Sequence, residues 1–129
     1  MKKLILAAAL VAFTPFAAFA EGDVAAGEKV FKKCKACHMV GDGAKNRVGP
    51  ILNGIVGSQS AMIEGYKYSK AMKAAELTWD EETLKLYLAN PRKTVKGTKM
   101  AFAGLKKDAD LANIIAYLSQ FDADGNIAE

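Results

Sequence analysis

Cys34-Lys35-Ala36-Cys37-His38 is the stretch on which the reading of this 129-residue chain turns. Two thiols three positions apart on a helical turn can each add to one vinyl group along a porphyrin edge. The next residue, His38, then projects beneath the ring plane and offers an imidazole nitrogen to iron. The C-x-x-C-H spacing therefore reads as covalent attachment of one haem c. A zinc site needs four ligands, and Cys34, Cys37 and His38 are three from one turn, with no other Cys or His in the chain. A redox dithiol of the thioredoxin kind would sit in a βαβ pattern, which is absent here. A plain disulfide between the two cysteines leaves the adjacent histidine unexplained.

His38 is the only histidine, which rules out a second histidine ligand and a histidine general base elsewhere. A sixth ligand from the protein would then most simply be a methionine sulfur. Of the five methionines, Met1 lies in the leader and Met39 is too close to His38 to reach the opposite face, so Met62, Met72 and Met100 remain. Methionine is more often core filler than ligand. Met100 stands out locally, because Gly97-Thr98-Lys99-Met100 is an irregular stretch between two helices that can lay a side chain across the far side of a ring.

Outward from the motif the pattern is helical. Asp23 is expected to cap a helix running towards Cys37, with Val24, Gly27, Val30, Phe31 and Cys34 on one apolar or small face. Residues 41–65 are glycine-rich, contain Pro50 and keep no sustained period, so they read as loop. Residues 69–75 suit a short helix. Thr78-Trp79-Asp80-Glu81 reads as a capping box opening a helix with Leu84, Tyr87 and Leu88, which Asn90-Pro91 ends. Residues 92–107 read as mostly irregular. Asp108 is then expected to cap a last helix with Leu111, Ile114, Ile115 and Leu118 as its apolar stripe, ahead of a frayed acidic tail over 122–129. No stretch alternates with period two. The expectation is an all-α fold of about four to five short helices, with long loops wrapped around one covalently bound haem.

The start of the chain has a different character. Lys2 and Lys3 precede sixteen uncharged residues, 4–19, and Ala18-Phe19-Ala20 is an A-x-A cleavage pattern. That is the layout of a secretory signal peptide, and the apolar run falls short of the about 20 residues of a bilayer span. The expected division is a cleaved signal over 1–20 and one domain over 21–129. Removal of Lys2 and Lys3 takes the net charge from +4 to +2, which gives no argument for nucleic acid. Export also suits the chemistry, because this kind of haem attachment is completed outside the bacterial cytoplasm. The expected location is the periplasm, without membrane insertion after cleavage.

The chain resembles the class I cytochromes c, the group of mitochondrial cytochrome c and bacterial cytochrome c2. The resemblance is carried in order by residues 34–38, Val48-Gly49-Pro50, Thr78-Trp79, Tyr87-Leu88-Ala89-Asn90-Pro91, Gly97-Thr98-Lys99-Met100 and Ile115-Ala116-Tyr117-Leu118. It implies the cytochrome c fold, His38 and Met100 as the axial iron ligands, and Cys34 and Cys37 as the thioether positions. The Pro50 carbonyl would accept a hydrogen bond from the second ring nitrogen of His38. Tyr68 and Trp79 would bond a haem propionate, and Tyr87 and Thr98 would surround the ligand sulfur and the propionate. Gly27 and Phe31 would cross the last helix at Ile114 and Tyr117. Two positions depart from the family pattern: Ser58 stands where an arginine is frequent, and Met72 where an asparagine is frequent.

The implied function is electron transport, with no enzyme activity. A His/Met pair raises the reduction potential, and filled axial positions leave substrates no place on iron. Lys32, Lys33, Lys35, Lys45, Lys93, Lys96, Lys99, Lys106 and Lys107 gather near the attachment and ligand segments, while Asp80, Glu81, Glu82, Asp122, Asp124 and Glu129 lie elsewhere. Such asymmetry steers encounter with acidic docking faces. By resemblance a monomer would carry electrons from a cytochrome bc complex to a photosynthetic reaction centre or a terminal oxidase. The competing class is a haem enzyme or gas sensor with an open sixth position, and it lacks a second histidine to act on a bound ligand.

Overall fold

The computed structural model describes residues 22–128, and the expected leader over 1–20 lies outside the described residues. Five helices follow in order: α1 (Val24–Phe31), α2 (Lys70–Ala75), α3 (Glu81–Ala89), α4 (Pro91–Thr94) and α5 (Asp108–Ser119). Among the described residues there is no strand, only two isolated antiparallel bridges, Gln59 with Thr78 and Phe121 with Ile127. The all-α expectation holds.

Asp23 caps α1, its Oδ1 accepting from the backbone N–H of Ala25 at 2.8 Å and Ala26 at 3.2 Å. The α-helix stops at Phe31 rather than reaching Cys37. From there Lys33 N–H donates to the Val30 carbonyl at 3.0 Å and Cys34 N–H to that of Phe31 at 2.8 Å. Three-residue bonds of this kind tighten the end of a helix, so the haem motif lies on tight turns that prolong α1.

Gly27 lets α1 cross α5 closely: a Cβ there would overlap the Asn113 carbonyl and stand 2.7 Å from Tyr117 Cβ. Phe31 meets the Tyr117 ring at 5.4 Å between centroids. Asp23 N–H also donates to Asn113 Oδ1 at 2.8 Å, fastening the start of α1 to the middle of α5. Fully buried Ile114 and Ile115, with Val30, Phe31, Leu111 and Leu118, join the core that this crossing covers.

Three further local expectations are corrected. The α3 cap is Asp80, accepting from Thr83 N–H at 2.8 Å. Thr78 is engaged in the bridge to Gln59, flanked by Trp79 N–H to the Ser58 carbonyl at 2.7 Å and Ser60 N–H to that of Leu77 at 2.7 Å. Residues 91–94 form α4, because Asn90 Oδ1 accepts from Lys93 N–H at 3.2 Å and Pro91, lacking an N–H, fits a first-turn position. Asp108 is the first residue of α5 and Lys107 its cap, without a side-chain bond; Asp108 and Asp110 instead complement the positive end of the helix.

Residues 122–128 of the tail are held in place. Asp122 Oδ1 accepts from Asp124 and Asn126 N–H, both at 2.9 Å, and Ala128 N–H reaches the Gln120 carbonyl at 2.9 Å. Gly54 N–H donates to the Phe121 carbonyl at 3.1 Å, which lays the end of the chain on the 41–54 loop. Among the described residues no helix is long and apolar enough to cross a membrane.

Candidate haem site

Cys34 and Cys37 remain free thiols, both half-buried. Burial above all, with the neighbouring Cys37 thiol adding and Lys33 opposing, pushes Cys34 up to about 11. A redox dithiol works through a thiol whose pKa is held down, so the pair is poorly suited to that role. Among the described residues no group of three or more His, Cys, Asp or Glu side chains converges as a metal site. The competing zinc reading therefore has no ligand set.

The His38 ring is fixed from two sides. Its Nδ1 lies 2.7 Å from the Pro50 carbonyl oxygen. A carbonyl only accepts, so Nδ1 carries the proton and donates, leaving the Nε2 lone pair for a metal. Burial also favours the neutral ring, lowering its pKa, with the Pro50 bond opposing in part. Gly49 presses its Cα against the imidazole, where a Cβ would stand 2.7 Å from Nδ1 and 2.8 Å from Nε2. Gly49 N–H in turn donates to the Cys37 carbonyl at 2.8 Å, tying this loop back to the motif. Two free thiols and an oriented neutral imidazole at this spacing fit covalent haem.

The three candidate methionines are sorted by position. Met62 is exposed at 68%. Met72 is buried in α2, its N–H held by Ser69 Oγ at 3.0 Å. Met100 is half-buried on the loop between α4 and α5 and packs against the core. Its N–H donates to Thr98 Oγ1 at 3.3 Å, and Thr98 Oγ1 shares a 2.8 Å hydrogen bond with the Tyr87 hydroxyl. Burial raises the Tyr87 pKa, with the Thr98 bond opposing, so the phenol stays protonated near neutral pH.

Trp79 is buried and lies 4.9 Å from the Tyr87 ring between centroids. Cys34, Tyr68, Trp79, Tyr87 and Met100 thus border one continuous cluster. In this structure the Tyr68 hydroxyl accepts from Ile63 N–H at 3.1 Å. Ser58, the position lacking an arginine, turns its hydroxyl onto the Ile55 carbonyl at 2.7 Å.

Gly49 and Asn53 are the supporting residues to which sequence reasoning gave no role. Asn53 is buried and closes the 41–53 loop on itself, Oδ1 accepting from Gly41 N–H at 2.7 Å and Nδ2 donating to the Gly41 carbonyl at 3.0 Å. The Val48-Gly49-Pro50 triplet carried a signal for the first; nothing local marks the second.

Fold and site together define an all-α protein carrying the C-x-x-C-H set that suits covalent haem. The chain belongs to the cytochrome c family, whose model it matches over residues 24–122, and its cofactor is accordingly covalently bound haem c. It is 57% identical over 124 residues to cytochrome c-554 of Methylosinus trichosporium, covering 95% of this chain and 94% of that one. It is 57% identical over 105 residues to cytochrome c2 of Rhodoblastus acidophilus, covering 81% of this chain and 98% of the relative. Cytochrome cH from Methylobacterium extorquens superposes with a TM-score of 0.71 at 48% identity, covering 76% of this chain and 98% of that structure.

Proposed function

We propose that the protein is a periplasmic single-electron carrier in which His38 and Met100 occupy the two axial positions of the haem iron. The observation that carries this reading is the His38–Pro50 hydrogen bond of 2.7 Å, which leaves Nε2 unprotonated and aimed by a backbone carbonyl. Such outer partners orient a ligand and raise its basicity. Haem c, when bound, supplies the iron couple that takes up and releases one electron.

The surrounding residues hold that centre closed. Met100 offers a polarisable sulfur from a loop whose backbone is fixed by Thr98 Oγ1. Cys34 and Cys37 fasten the porphyrin edge. Tyr68 and Trp79 would bond a propionate, the first by leaving its present partner Ile63. The apolar cluster around Trp79 and Tyr87 excludes water, and low polarity disfavours the extra positive charge of ferric iron. With His38 and Met100 both holding the iron, no substrate would reach it, and its ligand set would change little on electron transfer.

Surface charge supports transient docking. Among the described residues a single ion pair forms, Lys85 with Glu81 at 2.9 Å. Lys99 and Lys106 donate to backbone carbonyls, so their charges stay unneutralised. A lysine-rich haem edge would steer the carrier to acidic faces of a cytochrome bc complex as donor, and of a reaction centre or terminal oxidase as acceptor. Cleavage after Ala20 would release it into the periplasm.

The test is an anaerobic redox titration of the purified holoprotein followed by carbon monoxide. A reversible single-electron transition and a ferrous spectrum unchanged by the gas are expected. Ready carbon monoxide binding would mean an open iron, and the carrier reading would give way to an enzyme or sensor.

A further inference from the structure

One side chain outside the buried core ties together the two loops that supply the axial ligands. Tyr66 donates its hydroxyl to the Val48 carbonyl at 2.7 Å. Val48 directly precedes Gly49 and Pro50, which hold the His38 ring. On its ring face Tyr66 receives the Lys99 ammonium, 5.3 Å from the centroid. Lys99 directly precedes Met100, and its Nζ also donates to the Lys67 carbonyl at 2.7 Å. Tyr66 and Tyr68 form a T-shaped pair, 4.8 Å between ring centroids. A parallel stitch runs beneath: Asn46 Nδ2 donates to the Glu64 carbonyl at 3.0 Å while its Oδ1 accepts from Ile51 N–H at 2.9 Å.

We propose that Tyr66 is a positioning residue, a clasp that holds the Met100 loop against the His38 loop and so limits how often the Met100 sulfur leaves the iron. The proposal rests on Met100 being the sixth ligand and adds what keeps it in place. Residues 95–107 contain no regular element between α4 and α5. Local opening of such a segment is limited mainly by its few fixed contacts. The Lys99 contacts lie immediately beside the sulfur-bearing residue. Tyr66 gives them a fixed footing, because its own hydroxyl is anchored on the opposite loop. A cation over a partly exposed ring and one hydrogen bond are each modest; together they act on local opening more than on global unfolding.

The experiment measures the affinity of the ferric holoprotein for imidazole, which binds only when Met100 has moved away, alongside the urea midpoint. Four variants are compared: Tyr66→Leu removes the hydroxyl bond, the ring under Lys99 and the pairing with Tyr68, Tyr66→Phe removes only the hydroxyl bond, and Met100→Ala opens the iron outright. Ile115→Val, in the buried α5 stripe, lowers global stability at a distance. Tyr66→Leu is expected to raise imidazole affinity about tenfold, and Tyr66→Phe by less. Ile115→Val should leave affinity near that of the unmutated protein even where its urea midpoint falls as far. Equal affinity in the unmutated protein and Tyr66→Leu overturns the clasp, as does affinity that follows the urea midpoint across all variants. If Met100→Ala leaves imidazole affinity unchanged, the iron is already open and the ligand reading falls with the clasp.

Discussion

Thr98 meets two demands with one hydroxyl: it bonds the Tyr87 phenol at 2.8 Å and accepts from the Met100 N–H at 3.3 Å. Thr98→Val would leave the buried phenol without its partner and free the backbone at Met100. A stability loss of about 1–3 kcal/mol is expected for an orphaned buried hydroxyl, read from urea unfolding of the holoprotein. Tyr87→Phe combined with Thr98→Val should cost less than the sum of the two, because both remove the same bond. Residues at this scale were legible where chemistry sets their spacing, as at Cys34, Cys37 and His38. Gly49 was not, since its contribution is the space it leaves for an imidazole eleven positions earlier in the chain. Asn53 was silent for the same reason: its partners at Gly41 meet it only once the loop has closed.

Among the elements, the crossing of α1 and α5 depends on Gly27. Alanine is the better helix former by about 1 kcal/mol, yet a Cβ here would overlap the Asn113 carbonyl. Gly27→Ala is therefore expected to destabilise, by about 1–3 kcal/mol or more, seen as a lower thermal midpoint. A stabilised variant would mean that the helices cross elsewhere. The opening of α3 gives a pH-dependent counterpart. Asp80 has its pKa lowered chiefly by the backbone N–H of Thr83, with burial opposing only slightly. A depressed folded-state pKa stabilises above the unfolded value, and that stabilisation is lost as pH falls through the folded one. The advantage of the unmutated protein over Asp80→Asn should be full at neutral pH and shrink as pH falls below about 4. A gap that persists unchanged below that range would contradict the capping role.

Element existence was readable from periodicity, whereas ends were not. The stop of α1 at Phe31 follows from a mixture of three- and four-residue bonds over 32–38 that no composition announces. Asp80 displaced Thr78 as cap because Thr78 is held in a tertiary bridge to Gln59. The tail, expected to fray, is fixed by Asp122 accepting from Asp124 and Asn126 and by Phe121 meeting Gly54. The Asp122 turn is local, but the contact of Phe121 with Gly54 joins positions far apart in the chain, and only the fold reveals it.

Over residues 22–128, five short helices leave most of the chain in loops. Those loops take shape from a few fixed points: His38 on Pro50, Tyr66 on Val48, Lys99 on Lys67 and Gly54 on Phe121. That economy would suit the proposed carrier, whose frame would hold two ligands still and leave charged side chains free for brief encounters. Unneutralised lysines should make electron transfer to an acidic partner slow steeply as salt rises. An unchanged rate between low and moderate ionic strength would remove the steering argument. Architecture and cofactor were legible in the sequence because one five-residue motif and a 3.6-residue period suffice for both. The support of the ligands was not, because it is assembled from backbone groups that every residue carries.

An iron closed by His38 and Met100 would show the weak near-infrared absorption of methionine sulfur on ferric iron, which an oxidised spectrum of the holoprotein reads directly. The band is expected in the unmutated protein and in Met72→Ala, and lost in Met100→Ala. Its absence from the unmutated protein, or its survival in Met100→Ala, would contradict the account.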